Sequence, residues 1–345
     1  MGLGNSLQTA QGAAGGGGVG GWVELGRHTL GSEADLISVA SLADKRYYMI
    51  LWNTIRNGAI DHIFRTNNDS GGNYAYRRSQ NGGADGTGVS STHGCPPYMG
   101  SQNAGGNDAF GNVYVSNLAG KEKLAQGHAV TTQAGAGAGS APRRQEGVGK
   151  WSNTSVAANR FDMINGDSGG YNTGSEMVVL GWDPADTHTT NFWEELDSSN
   201  GDGSGGFSTG TFTAKKYLWV QAFLDGPSAD GEIGVNGDTG SNYSHRRSFN
   251  GGSDSTVTSN GNWSAEGGTD TPILLNMFFI NNSANEKLGI IHSIRSETAG
   301  AGTAPSRKEW VCKWANTSSQ ITSFDFNLTS GSFSTASTVK VWGSN

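Results

Sequence analysis

The sequence is written twice. Residues 67–85 read NNDSGGNYAYRRSQNGGAD and residues 236–254 read NGDTGSNYSHRRSFNGGSD, with twelve of nineteen positions identical and no gap. Further blocks follow in the same order in each half. Lys121-Glu-Lys-Leu124 with His128 matches Asn285-Glu-Lys-Leu288 with His292. Gly137-Ala-Gly-Ser-Ala-Pro142 matches Gly300-Ala-Gly-Thr-Ala-Pro305, and Lys150-Trp-Ser-Asn-Thr-Ser155 matches Lys313-Trp-Ala-Asn-Thr-Ser318. A whole domain has therefore been duplicated, with a period far too long for a solenoid or a propeller blade. The spacing places a first copy over 22–183, a connector over 184–192 and a second copy over 193–345. Each copy is about 155 residues, enough to bury roughly 68–70% of its unfolded surface in one core.

Apolar periodicity within each copy is short and strand-like. Examples are Asp35–Val39, Tyr47–Trp52, Ile60–Phe64, Asn112–Ser116 and Met177–Leu180, then Tyr217–Phe223, Ile273–Ile280, Leu288–Ile294 and Thr338–Trp342. Clusters of Asn, Gly, Asp and Ser punctuate them, and no stretch carries a sustained helical pattern. The fifty-five glycines sit between runs that hold ten Trp, nine Tyr and thirteen Phe, so they read as turns of a folded chain. The expected fold is all-β: two tandem homologous antiparallel β-sandwich domains, jelly-roll-like, behind a Gly-rich N-terminal arm over 1–21.

Several function classes are disfavoured. A net charge of −7 without a basic stripe speaks against nucleic acid as a partner. No apolar run approaches the ~18–20 residues of a membrane helix. Cys95 and Cys312 occupy non-equivalent places in the two copies, which predicts free thiols. Residues 1–21 lack the charged and apolar regions of a signal peptide. Met1-Gly-Leu-Gly-Asn-Ser6 fits the myristoylation pattern, which a plain glycine arm also produces.

Other motifs suggest chemistry without completing it. Gly166-Asp-Ser-Gly-Gly170 carries the nucleophile signature of trypsin-like proteases, with Ser168 to attack and a histidine to take its proton. The second copy reads Thr329-Ser-Gly-Ser332 at that turn, which favours a loop of the repeated fold. Asn67/Asp69, Asp167, Asp197/Asp202 and Asn236/Asp238 could face calcium, but none completes an EF-hand loop and turn chemistry accounts for them. His128 recurs as His292 and reads as a packed histidine. Arg78 and Arg247 read as guanidiniums tying a strand to a loop, through a tyrosine or through Asp85 and Asp254. No catalytic, cofactor or metal constellation emerges, and the expectation is a protein that is not an enzyme.

Trp193-Glu-Glu-Leu196, Ala214-Lys-Lys-Tyr217, the block 236–248 and Lys340-Val-Trp-Gly343 resemble the tandem β-sandwich virion structural proteins of tailed phages, marine ones especially. The resemblance covers 22–345 and rests on scaffold motifs alone. It implies a virion component of decoration, fibre or tail type, with copies of itself and other virion proteins as partners. A second expectation is a carbohydrate-binding, lectin-like module meeting host-surface glycans. Its candidate ligand-binding residues are Trp263, in Asn260-Gly-Asn-Trp-Ser264, and Tyr98, in Cys95-Pro-Pro-Tyr98, because these aromatics fall in loops that differ between copies.

Overall fold

The computed structural model describes residues 21–96, 101–102, 108–132, 135–186, 190–226, 231–264, 271–298 and 300–345. All regular structure among them is β. The first half carries β1 (Val23–Thr29), β2 (Leu36–Val39), β3 (Tyr47–Thr54), β4 (Arg56–Asn57), β5 (Ile60–Thr66), β6 (Tyr74–Gln80) and β7 (Gly86–Ser91). It continues with β8 (Ser101–Gln102), β9 (Ala109–Ser116), β10 (Lys123–Thr131), β11 (Arg143–Trp151), β12 (Phe161–Asn165), β13 (Gly170–Tyr171) and β14 (Glu176–Trp182). The second half has β15 (Glu194–Asn200), β16 (Gly206–Ser208), β17 (Tyr217–Leu224), β18 (Gly231–Val235), β19 (Tyr243–Phe249) and β20 (Ser255–Asn260). Its remaining strands are β21 (Trp263–Ser264), β22 (Ile273–Ile280), β23 (Lys287–Arg295), β24 (Ser306–Trp314), β25 (Phe324–Leu328) and β26 (Thr338–Ser344).

Both halves build the same topology. An eight-stranded sheet of order β1-β14-β3-β9-β10-β11-β6-β7 is matched by β15-β26-β17-β22-β23-β24-β19-β20. A four-stranded sheet of order β2-β12-β5-β8 is matched by β16-β25-β18-β21. Among the described residues, strands β4 and β13 add a two-stranded piece to the first half only, and every ladder is antiparallel.

Period-two alternation explains the layering. In β3, Tyr48, Ile50 and Trp52 point into a core shared with Phe64, Phe161 and Met163 of the small sheet, while Met49 and Leu51 point the other way. That other face is buried as well. Met49, Leu51, Phe110, Val130, Val178 and Leu180 of the first large sheet meet Tyr217, Phe278, Leu288, Ile290, Val311 and Trp342 of the second. The order of layers is small, large, large, small. The apolar runs Tyr47–Trp52 and Met277–Ile280 lack alternation because both faces of these strands are covered there.

Each half is pinned by one polar network, repeated. The Asp69 carboxylate accepts from the Gly71 amide, the Asn73 side chain and the Trp151 indole at 2.8–2.9 Å. Asp238 does the same with Gly240, Asn242 and Trp314 at 2.7–2.9 Å. The Tyr74 hydroxyl closes the same turn on Thr66 and Asp69, as Tyr243 does on Val235 and Asp238. Burial pushes both carboxyls up, but these donors outweigh it and hold them below the usual aspartate range. At the next turn Asn81-Gly82 and Asn250-Gly251 all have φ between 50° and 74°, the left-handed region that Asn-Gly supplies cheaply. The nineteen-residue block is therefore a folding device. Asp69→Ala and Asp238→Ala should each cost about 1–3 kcal/mol by leaving an indole N–H and an amide unpaired, and urea unfolding would read equal losses in the two halves.

Candidate functional site

The seam between the large sheets brings charged groups out of water, and each has partners. The Glu176 carboxylate accepts from the Tyr217 hydroxyl at 2.7 Å, from Lys216 at 3.0 Å and from Arg27 at 3.3 Å, with Thr29 as a further donor. Burial alone would raise its pKa, and these hydrogen bonds and the Lys216 charge bring it below the usual range. Arg144 of β11 reaches Asp254 at 2.7 Å and Glu309 at 3.5 Å in the other half, and pairs with Glu146 on its own strand. Asp108 accepts from the Asn285 amide at 2.7 Å, yet burial still lifts its pKa to about 6.

A backbone segment is docked in this seam. The β10–β11 hairpin, Gly135–Pro142, lies across β24, β19 and β20 of the second half. Lys313 Nζ donates to the Gly135 carbonyl at 3.3 Å, and Glu286 accepts from the Gly137 amide. The Ser259 amide donates to the Ala138 carbonyl at 2.8 Å, Ser244 Oγ to the Ser140 carbonyl at 3.3 Å and Arg246 Nε to the Pro142 carbonyl at 2.9 Å. Each of these five hydrogen bonds is made to the hairpin's main chain, and the small Ala138 side chain is buried beneath it.

At the centre of the seam the equivalent residues His128 and His292 meet edge to face, ring centroids 4.3 Å apart. They line a cavity of 300 Å³ with Asn112, Gln126, Asn276 and Ile290. Burial, then the second imidazole and Arg144, hold His128 well below the usual histidine range. Burial and Arg144 lower His292 against the pull of Glu309.

Beyond the seam, the first large sheet carries an open groove of 760 Å³. Its floor is aromatic: Tyr47 stacks on Trp182 at 5.4 Å and 21°, and Trp22 leans on Tyr114 at 6.3 Å. Leu124 and Val148 lie in the groove 55% and 51% exposed, and Val89 at its margin is 79% exposed. Two ion pairs frame it, Lys150–Glu122 at 3.0 Å and Arg77–Asp85 at 3.1 Å. An apolar surface of this kind is a candidate interaction site.

The residues singled out from sequence fall elsewhere. Trp263 lies in β21 and is fully buried, its ring against Tyr243 and Phe279 and its indole N–H on the Lys313 carbonyl at 3.1 Å. No ring face remains for a sugar, because the loop folds Trp263 into the core as a strand of the small sheet. Tyr98 lies outside the described residues, as does the arm over 1–20. Ser168 is exposed on its turn, with its amide on Asp167 Oδ1, and among the described residues no hydrogen bond joins it to a histidine. Asp85 pairs with Arg77 and Asp254 with Arg144. Arg247 instead donates to Ser255 and to the Ser264 carbonyl. Both cysteines are free and buried, and among the described residues no group of three or more His, Cys, Asp or Glu could hold a metal ion. The groove was missed. The repeated Glu122/Lys150 and Glu286/Lys313 pairs were its available signal.

No protein-family model and no curated protein matches the chain. Among solved structures, the attachment invasion locus protein Ail of Yersinia pestis is 6% identical, with 79% of this chain and 99% of Ail covered and a TM-score of 0.13. An acyl-CoA hydrolase from Agrobacterium tumefaciens is 6% identical over 62% of this chain and 74% of that one, at a TM-score of 0.15. PNGF-II is 10% identical over 94% and 66%, at a TM-score of 0.11. None of these likenesses carries an argument about fold or function.

The histidine pair makes the seam sensitive to acid. A histidine held low in the fold is protonated more readily when unfolded, so its contribution is lost as pH falls below about 6.5. Asp108, with a raised pKa, works in the opposite direction, and His245, pulled down to about 3 by burial, adds to the acid loss. Both are common to wild type and a His128→Gln/His292→Gln variant, so comparison isolates the seam. The wild type should lose more melting temperature than the variant between pH 7 and 5 in scanning calorimetry.

Proposed function

We propose that this chain is a non-enzymatic structural protein of a virus particle, built from two jelly-roll-like β-sandwiches and assembling with copies of itself and with other virion proteins. The observation that carries the reading is the seam. The large sheets bury their second faces against each other, and a Gly/Ala hairpin is gripped by its main chain. Such a body is a rigid block whose contacts depend on shape and backbone, which suits a lattice component. The phage resemblance of the Trp193, Ala214 and Lys340 segments points the same way.

The second half offers the contact for assembly. Phe223, Leu274 and Ile294 stand side by side on β17, β22 and β23 and are 40%, 46% and 52% exposed. A row of this kind on a sheet face is a self-association surface, and repeated contacts close into rings or run into filaments according to symmetry. Leu274→Glu/Ile294→Glu should reduce an ordered oligomer to monomer in mass photometry and cryo-EM, with the melting temperature unchanged. A wild-type chain that is monomeric at every concentration would remove the proposal.

A carbohydrate-binding role is the second reading, favoured by the stacked Tyr47–Trp182 pair in the groove. Aromatic faces flanked by Lys150, Glu122 and Arg77 suit a sugar ring. Glycan-array binding abolished by Trp182→Ala would favour it over the structural role.

A further inference from the structure

We infer that the groove on the first large sheet is a second backbone socket, and that the chain's own residues 1–20 occupy it. The inference is independent of the virus-particle reading.

The groove is the first-half counterpart of the surface that grips the hairpin in the second half. Register fixes the correspondence. Leu124 faces Lys150 as Leu288 faces Lys313, and Arg77 faces Val148 as Arg246 faces Val311. Glu122 matches Glu286 in sequence, and each accepts an ion pair from its lysine, at 3.0 and 3.4 Å. Ser90 and Ser259, whose amide is a gripping donor in the second half, share an unusual backbone conformation, with φ of 47° and 51°. Four of the five groups that hold Gly135–Pro142 are thus kept, and only Ser244 is lost, to Ala75.

What differs is occupancy. In the second half Lys313 is fully buried and Glu286 is 8% exposed at its side chain, whereas Lys150 and Glu122 are 45% and 40% exposed. Leu288 and Val311 are buried, whereas their counterparts Leu124 and Val148 stand in the open. A socket of this design accepts a chain of small residues through its main chain, because glycine and alanine let the backbone approach the sheet. The remaining Gly/Ala hairpin, Gly300–Pro305, is exposed on the second half.

Residues 1–20 have the required composition and origin. Eleven of the twenty are glycine or alanine, with Gly12-Ala-Ala-Gly-Gly-Gly-Gly18 at the centre and Leu3, Leu7 and Val19 to meet an apolar floor. They lead directly into Trp22, which itself lines the groove. At about 3.3–3.6 Å per extended residue the segment spans every strand from β1 to β7 with length to spare. Attachment at the groove's edge also gives it a local concentration that a separate molecule would not match.

The test is a pair of introduced thiols in the full chain. Ala10→Cys with Val89→Cys, under mild oxidation, should form a disulfide at monomer mass, because twelve extended residues back from Trp22 reach across the seven strand spacings to β7, while fully buried Cys95 and Cys312 stay silent. Ala10→Cys with Val156→Cys, a control outside the groove that is 48% exposed against 79% for Val89, should cross-link at least about five-fold less if docking sets the local concentration, more than the difference in exposure gives. Adding Arg77→Ala to the Ala10→Cys/Val89→Cys variant should lower its cross-linking yield several-fold without moving the melting temperature. Equal yields at positions 89 and 156 would overturn the inference. So would a cross-link found only at dimer mass, which would assign the groove to a neighbour's segment.

Discussion

Burial of both faces of the two large sheets is the constraint on which the rest of the structure depends. An antiparallel sheet ordinarily leaves one face to water. Here Met49, Leu51, Val178 and Leu180 on one side and Phe278, Ile290, Val311 and Trp342 on the other make that impossible without a partner layer. Covering them forces charged groups into the seam. Such groups are tolerated only with several partners each, since an isolated buried charge costs several kcal/mol. Glu176 with four donors and Arg144 with three carboxylates satisfy that condition.

Duplication has produced two halves with one topology and two environments. Lys150–Glu122 and Lys313–Glu286 are the same pair by descent, yet the first is half in solvent and the second is under a hairpin. An exposed pair of this kind contributes about 0–1 kcal/mol. The buried one must also hold main-chain groups to offset its desolvation, and it does so at Gly135 and Gly137. The exchange of roles recurs in Phe110, buried, against Leu274, exposed, and in Val130 against Ile294. The halves therefore meet unequally: the first gives a hairpin and the second receives it. The receiving surface of the first half and the giving surface of the second are left over, and these carry the two proposals for docking and assembly.

The nineteen-residue block, with its Asn-Gly turns and paired Asp–Trp networks, was legible because such features are local: turn residues bond within a few positions of themselves. All-β character and strand positions follow from the same short-range patterns. Trp263 shows where this fails. Its neighbours Asn260, Gly261 and Asn262 are turn formers, and only the position of Phe279 and Tyr243 across the core shows that the indole is inside. The groove was hidden for the converse reason. Leu124 and Val148 have the sequence context of Leu288 and Val311, and nothing local distinguishes an uncovered leucine from a covered one.

The sequence by itself determined that this is a duplicated all-β chain with short strands, glycine-rich turns and unpaired cysteines, because strands and turns are set by residues close together in the chain, and the repeat and the unmatched cysteines are read by laying its two halves side by side. Tertiary structure alone decided that the large sheets face each other, that His128 meets His292, that Gly135–Pro142 is clamped by Lys313, Glu286 and Arg246, and that one of two equivalent surfaces is left uncovered by the other half. Those outcomes depend on how two nearly identical bodies pack. Packing of that kind is a sum over contacts between residues more than a hundred positions apart, such as Arg144 with Asp254, and it has no signature in the local pattern of either partner.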